Sequence, residues 1–222
     1  MNPAAETVVL VHGLWMHGLV FGLLRRRLGR NGFVTHAWSY PSVRQGLADN
    51  ADALSRFLAG LRAGPIHLVG HSLGGIVIAS ALARQPDPRV RRVVLMGPPW
   101  TGSRSATGLQ RVPGIASLIG RSMRDWLAAP RPALPGVAIG VISGSRPLGL
   151  AGALVRLPRP HDGIVTVGET RVAGARDAVT LHVSHMEMLL SAACADQVAA
   201  FLHTGAFAHH RPEERSGQGI QP

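Results

Sequence analysis

Residues 66–75 read Ile-His-Leu-Val-Gly-His-Ser-Leu-Gly-Gly, an apolar run that ends in Gly70-x-Ser72-x-Gly74. The apolar stretch predicts a buried strand, residues 76–83 have helical composition, and the serine falls on the turn between them. Small residues two positions before and after Ser72 suit such a turn, because the strand and helix backbones pass too close for larger side chains. The hydroxyl is then held at the carboxyl edge of a sheet, above a helix amino terminus, where an attacking oxygen is useful. A nucleophile elbow is one reading of this string, and a plain glycine-rich turn is the other.

A serine hydroxyl is a weak nucleophile near neutral pH, so nucleophilic chemistry needs an imidazole to take its proton and a carboxylate to orient that imidazole. Of the eleven histidines, His185 follows the last expected strand and precedes the last helix, a place from which a loop reaches back over the serine. Its alternative role is a loop histidine capping that helix. His182 reads as a packed or edge residue within the strand itself. For the acid, Asp162 in His161-Asp162-Gly163 lies between the fifth and sixth strands, again at the carboxyl edge. Asp-Gly also commonly forms a turn in which the aspartate bonds its own backbone. Asp177 is expected at the opposite edge, Asp87 in a turn between two prolines, Asp125 exposed, and Glu187 at a helix start where the dipole favours a carboxylate. The negative oxygen of a tetrahedral intermediate needs fixed backbone donors. Leu73, directly after the serine, is one candidate; Leu14, in the turn after the first strand, is the second. His12 is expected to shape that turn, while Trp15 and Met16 either line an acyl pocket or pack in the loop.

The elements that position these residues alternate along the chain. Strands are expected at residues 7–12, 33–40, 66–69, 90–96, 137–142 and 178–183, and helices at 19–28, 46–61, after Ser72 to about Pro86, and 187–202. In the second helix Leu47, Leu54, Phe57, Leu58 and Leu61 share an apolar side. Helical segments between strands imply crossovers in a mostly parallel sheet of about six strands, with helices on both faces in three layers. Residues 98–135 are too long for a minimal connection, and a lid or substrate flap and an ordinary packed connection are both open. The reading is one domain over residues 1–208 and a polar, disordered tail over 209–222.

With 46% hydrophobic and 16% charged residues the chain has the composition of a globular protein, and no apolar stretch approaches the ~18–20 residues of a membrane span. Peripheral membrane contact, for instance around Trp126, stays open. No signal peptide is visible and the single Cys194 cannot form an internal disulfide, so a cytoplasmic location is expected. The net charge of +11 comes from 23 basic residues that are all arginine, a bias that points to GC-rich coding. Zinc spacings, RNA-binding aromatic signatures and phosphate loops are missing, so no nucleic-acid partner is expected.

Val11-His12-Gly13, the Gly70-to-Gly75 turn, Asp162-Gly163-x-Val165 and Ser184-His185-x-x-Met188-Leu189 occur in the order seen in the α/β-hydrolase superfamily. Over residues 7–203 the chain resembles its small bacterial lipase and esterase members, with a minimal or small helical lid. The resemblance implies hydrolysis of small-molecule or lipid carboxylic esters by a Ser72-Asp162-His185 triad through an acyl-enzyme. It implies an oxyanion hole at Leu14 and Leu73, and no metal or organic cofactor. An acyltransferase using the same residues, a haloperoxidase-type side activity and an inactive binding protein with the same fold remain alternatives. Oligomeric state and acyl specificity are not encoded in any motif.

Overall fold

The continuous β-branched run at the start of the chain forms β1 (Thr7–Val11), with Val8 and Leu10 buried on one face and Val9 and Val11 on the other. Burial of both faces is what a parallel strand between two helical layers requires. In a computed structural model describing residues 6–110, 119–134, 136–149 and 155–209, five further strands join it. They are β2 (Val34–Trp38), β3 (Ile66–His71), β4 (Val90–Met96), β5 (Ala138–Gly144) and β6 (Asp177–Leu181). The sheet order is β2-β1-β3-β4-β5-β6, and every neighbouring pair is parallel.

Helices cover both faces, as expected. On one side α2 (Leu47–Ala59), α3 (Leu73–Arg84) and α5 (Arg121–Ala128) contribute Leu54, Leu58, Ile76, Met123 and Trp126 to a core with Val9 and Val11. On the other, α1 (Gly22–Arg30) and α6 (Ala192–Thr204) bring Leu24, Leu28, Val198 and Phe201 against Val8, Leu10 and Ile142. A short α4 (Arg104–Gln110) follows β4. From β1 the chain first winds outward to β2 and then returns to lay β3 on the other side of β1. Loops leaving the carboxyl ends of β1 and β3 therefore diverge, and a crevice opens there.

Several expected elements differ in detail. The expected final helix from 187 is two elements, a 3-10 turn at Glu187–Leu189 and then α6. The break comes at Ser191, whose extended backbone and side-chain oxygen cap α6 by accepting from the Cys194 amide at 3.2 Å. Strand β6 stops at Leu181, where the Val183 amide turns back onto the Leu181 carbonyl, so His182 lies beyond the strand and is exposed. In β4, Ile66 pairs with Val90 but His67 pairs with Arg92, which leaves Arg91 as the extra residue of a bulge.

Within the 98–135 segment, α5 is fastened at several points; residues 111–118 and 135 lie outside the described residues. Asp125 is exposed, as expected, and also accepts the Leu47 amide at 2.8 Å and so caps α2. Ser122 Oγ donates to the Gln45 carbonyl at 3.0 Å and accepts from Asn50 Nδ2 at 2.9 Å. Trp126 is buried edge-on against Trp100 and donates its indole N–H to the Pro99 carbonyl at 3.0 Å. Its indole is therefore not presented to a membrane surface. Among the described residues no helix is long and apolar enough to cross a membrane. Of the expected disordered tail, His209 is described and bonds Asp177 at the amino-terminal edge of the sheet, and 210–222 lie outside the described residues.

Candidate active site

The turn at Ser72 is built as its neighbours require. A Cβ on Gly74 would collide with the Val11 carbonyl, so only glycine lets α3 start this close to β1. Ser72 has φ 52° and ψ −121°, a conformation rare for a residue with a side chain. Its amide donates to the Met96 carbonyl at 2.9 Å, pinning the turn to the end of β4. Although Ser72 is the residue before α3, its hydroxyl does not cap the helix. That leaves the oxygen, on a half-buried residue, available for other chemistry.

Asp162 and His185 are brought together although 23 positions separate them. His185 Nδ1 donates to Asp162 Oδ2 at 2.7 Å, and the His185 amide donates to the Asp162 carbonyl at 2.9 Å. Asp162 is fully buried and His185 is 3% exposed. The other carboxylate oxygen, Oδ1, accepts the Ile164 and Val165 amides at 2.9 and 2.7 Å. Asp162 thus makes the expected Asp-Gly backbone turn and faces a histidine at the same time. Burial pushes its pKa up, but the facing His185, their hydrogen bond and the two amides outweigh this and hold it below the usual carboxylate value. An ionised acceptor fixes the neutral His185 with its proton on Nδ1, leaving Nε2 with a lone pair.

Gly13 lies against the serine: a Cβ on it would be 3.2 Å from Ser72 Cβ. The turn carrying Leu14 is therefore beside the turn carrying Leu73, which starts α3. His12 shapes this region as expected. Its Nδ1 donates to the Gly13 carbonyl at 2.8 Å and its Nε2 accepts the Tyr40 amide at 3.2 Å, while Tyr40 Oη donates to the His12 carbonyl at 2.8 Å. With both ring nitrogens engaged and its pKa lowered by burial, His12 has no free position for proton transfer. Trp15, with φ 61°, is 61% exposed and donates its amide to Ser42 Oγ at 3.1 Å, whereas Met16 is half-buried against the α1 side of the core.

The remaining acids lie elsewhere. Asp177 accepts the Phe207 amide at the opposite edge, Asp87 holds Arg89 in its turn, and Glu187 accepts the Ser184 amide and pairs with Arg146.

Three contributors escaped the sequence reading. Gly97, at the end of β4 with φ 58°, leaves room for the His185 ring: a Cβ there would be 3.1 Å from Nδ1 and Cε1. A glycine ending a central strand was the available signal. Glu169, buried, accepts Thr166 N and Oγ1 at 2.8 and 2.9 Å and the Arg104 amide at 2.6 Å, tying α4 to the Asp162 loop. His71 donates through Nε2 to the His185 carbonyl at 2.9 Å. Nothing in the local pattern distinguishes it from a filler beside the serine.

The chain is similar to known proteins in sequence and in fold. A curated pimeloyl-[acyl-carrier protein] methyl ester esterase of Chromobacterium violaceum is 28% identical over 209 residues, covering 81% of this chain and 82% of that protein. The mature form of a Bacillus licheniformis lipase superposes with a TM-score of 0.75 at 20% identity, over 92% of this chain and 93% of the other. A Bacillus subtilis carboxylesterase gives 0.60 at 16% identity, over 92% and 85%. These structural likenesses speak for the fold. The sequence profile of the alpha/beta hydrolase family matches residues 8–216, which include the Ser72 turn, Asp162 and His185, and the chain belongs to that family.

Proposed function

We propose that the protein is a carboxylic-ester hydrolase working through Ser72, His185 and Asp162. The observation that carries this reading is the buried 2.7 Å hydrogen bond from His185 Nδ1 to Asp162, formed on the loops that flank a strained serine whose hydroxyl does not cap its helix. The ester-cleaving names of the relatives point the same way.

Ser72 Oγ attacks the ester carbonyl carbon as its proton passes to His185 Nε2. Asp162 stabilises the resulting imidazolium and keeps the ring oriented. The Leu14 and Leu73 amides bind the oxyanion, each contributing roughly 3 kcal/mol of transition-state stabilisation. On collapse, His185 gives its proton to the departing alkoxide, releasing alcohol and leaving Ser72 acylated. Water then loses a proton to His185 as it attacks the acyl carbon; on collapse the acyl–Oγ bond breaks, His185 returns the proton to Ser72 Oγ, and the carboxylic acid leaves.

The test is fluorophosphonate labelling with peptide mapping, together with a p-nitrophenyl ester chain-length panel on wild type and Ser72→Ala. Label on Ser72 and turnover lost in the variant are expected; no label on Ser72 with equal turnover by both proteins overturns the reading. Product analysis with added acceptor alcohols separates hydrolysis from acyl transfer by the same residues.

A further inference from the structure

His71 is fully buried beside the proposed nucleophile, and the steps above do not use it. Its ring lies against His185, centroids 4.7 Å apart and planes tilted by 50°, and its Nε2 meets the His185 main-chain oxygen at 2.9 Å. A carbonyl only accepts, so the proton of His71 sits on Nε2. Its Nδ1 is buried without a hydrogen-bond partner and lies under Gly13, where a Cβ would come within 3.2 Å. A buried acceptor without a hydrogen-bond partner costs stability, and the bond made by the other ring nitrogen does not remove that cost.

We propose that His71 is a positioning residue for His185: a neutral imidazole, one residue before Ser72, that clamps the backbone of the base to the turn carrying the nucleophile. This rests on the reading of His185 as the base. The His185 loop is then held from two sides, by Asp162 on the ring and the amide, and by His71 on the carbonyl. Because His71 and Ser72 are consecutive, the clamp transmits the position of the strained turn directly to the base. A shift of the base by a fraction of the clamp length is enough to lower the rate strongly.

Neutrality is the second part of the role. The ionisable groups around His71 are His185, Asp162 and His12. A second positive charge 4.7 Å from His185 would oppose the imidazolium that must form during turnover. Burial first, and the neighbouring His185 next, push the His71 pKa down to about 3, so the proton released by Ser72 goes to His185 and not to His71.

The experiment compares His71→Phe, which keeps a ring and removes the donor, with His71→Gln, which keeps an amide donor. For p-nitrophenyl ester cleavage the clamp predicts that kcat falls by about tenfold or more in His71→Phe with KM within about threefold, and that His71→Gln recovers most of kcat. Equal kcat in wild type and a folded His71→Phe overturns the proposal, as does equal loss in both variants. Nitrogen-15 NMR of the wild type supplies an arm that needs neither variant. The Nε2–H tautomer of His71, untitrated through the usual imidazole range, supports the clamp; an Nδ1–H tautomer or ordinary titration overturns it. If the wild type neither labels at Ser72 nor cleaves esters, the hydrolase reading fails. The low-field His185 Nδ1–H signal still decides the clamp: loss in His71→Phe with retention in His71→Gln supports it, and an unchanged signal in both overturns it.

Discussion

His185 and Asp162 are joined twice, side chain to side chain at 2.7 Å and His185 amide to Asp162 carbonyl at 2.9 Å. The second link fixes the backbone of one loop against the other, so the ring hydrogen bond does not depend on two independently moving side chains. With Oδ1 saturated by the Ile164 and Val165 amides, Asp162 has a single oxygen left, and it points at His185.

Asp162→Asn keeps the shape but can present its amide nitrogen to His185 Nδ1, selecting the wrong tautomer. Ester turnover is expected to fall by roughly 10⁴-fold in kcat, on the pattern of serine triads. Steady-state kinetics with circular dichroism to confirm folding measure it; a folded variant within tenfold of wild type contradicts the role given to Asp162.

Gly97→Ala places a methyl 3.1 Å from His185 Nδ1 and Cε1 and 3.3 Å from Asp162 Oδ2, at a φ of 58° that alanine resists. The expected result is a loss of about 1–2 kcal/mol in stability and a drop of about 10²-fold in kcat as the ring is displaced. Urea titration and kinetics read the two effects separately, and an unchanged kcat would show that the ring tolerates the push.

Stability should depend on pH with a definite sign. The pKa of His71 is lowered from 6.5 to about 3, so between these values the unfolded chain binds a proton that the native protein does not. Its contribution is therefore full above about pH 6.5 and declines steadily as pH falls toward about 3. Burial lowers the pKa of His12 and His67 as well, which adds in the same direction. Asp162, also lowered, acts further down: its contribution is present above the unfolded value of 3.8 and is lost as pH falls through the folded one. Urea midpoints at several pH values should fall on acidification, less steeply in His71→Gln. An identical slope in that variant would assign the effect to other groups.

Asp125→Ala removes the acceptor for the Leu47 amide and with it the cap of α2. A loss of about 1 kcal/mol is expected. Thermal unfolding checks it, and a midpoint equal to wild type would mean that water replaces the carboxylate without loss.

Much of this architecture is legible one residue at a time. The β-branched run of β1 and the glycines around Ser72 are dictated by local sterics and burial, which leave their trace in residue type and spacing. Chain order then suffices to nominate Asp162 and His185, since each follows a strand and so lies at the carboxyl edge of a parallel sheet. Boundaries were less legible. The single helix expected from residue 187 is broken by the Ser191 cap, a choice that depends on where Glu187 finds partners in the Ser184 amide and Arg146. The capping bond of the exposed Asp125 has no local trace because its partner, Leu47, is 78 positions away.

What the linear chain determined was most of the elements, the order in which they carry the candidate site residues, and the tight turn at the serine. These follow from hydrophobic periodicity and backbone sterics, which act over a few residues. Only the tertiary structure decided that one oxygen of Asp162 faces His185 while the other closes a turn, that Gly97 makes room for the ring, and that His71 grips the backbone of His185. Those relationships depend on the register of β3, β4 and β5 and on loops meeting across the sheet edge, distances that no local pattern encodes.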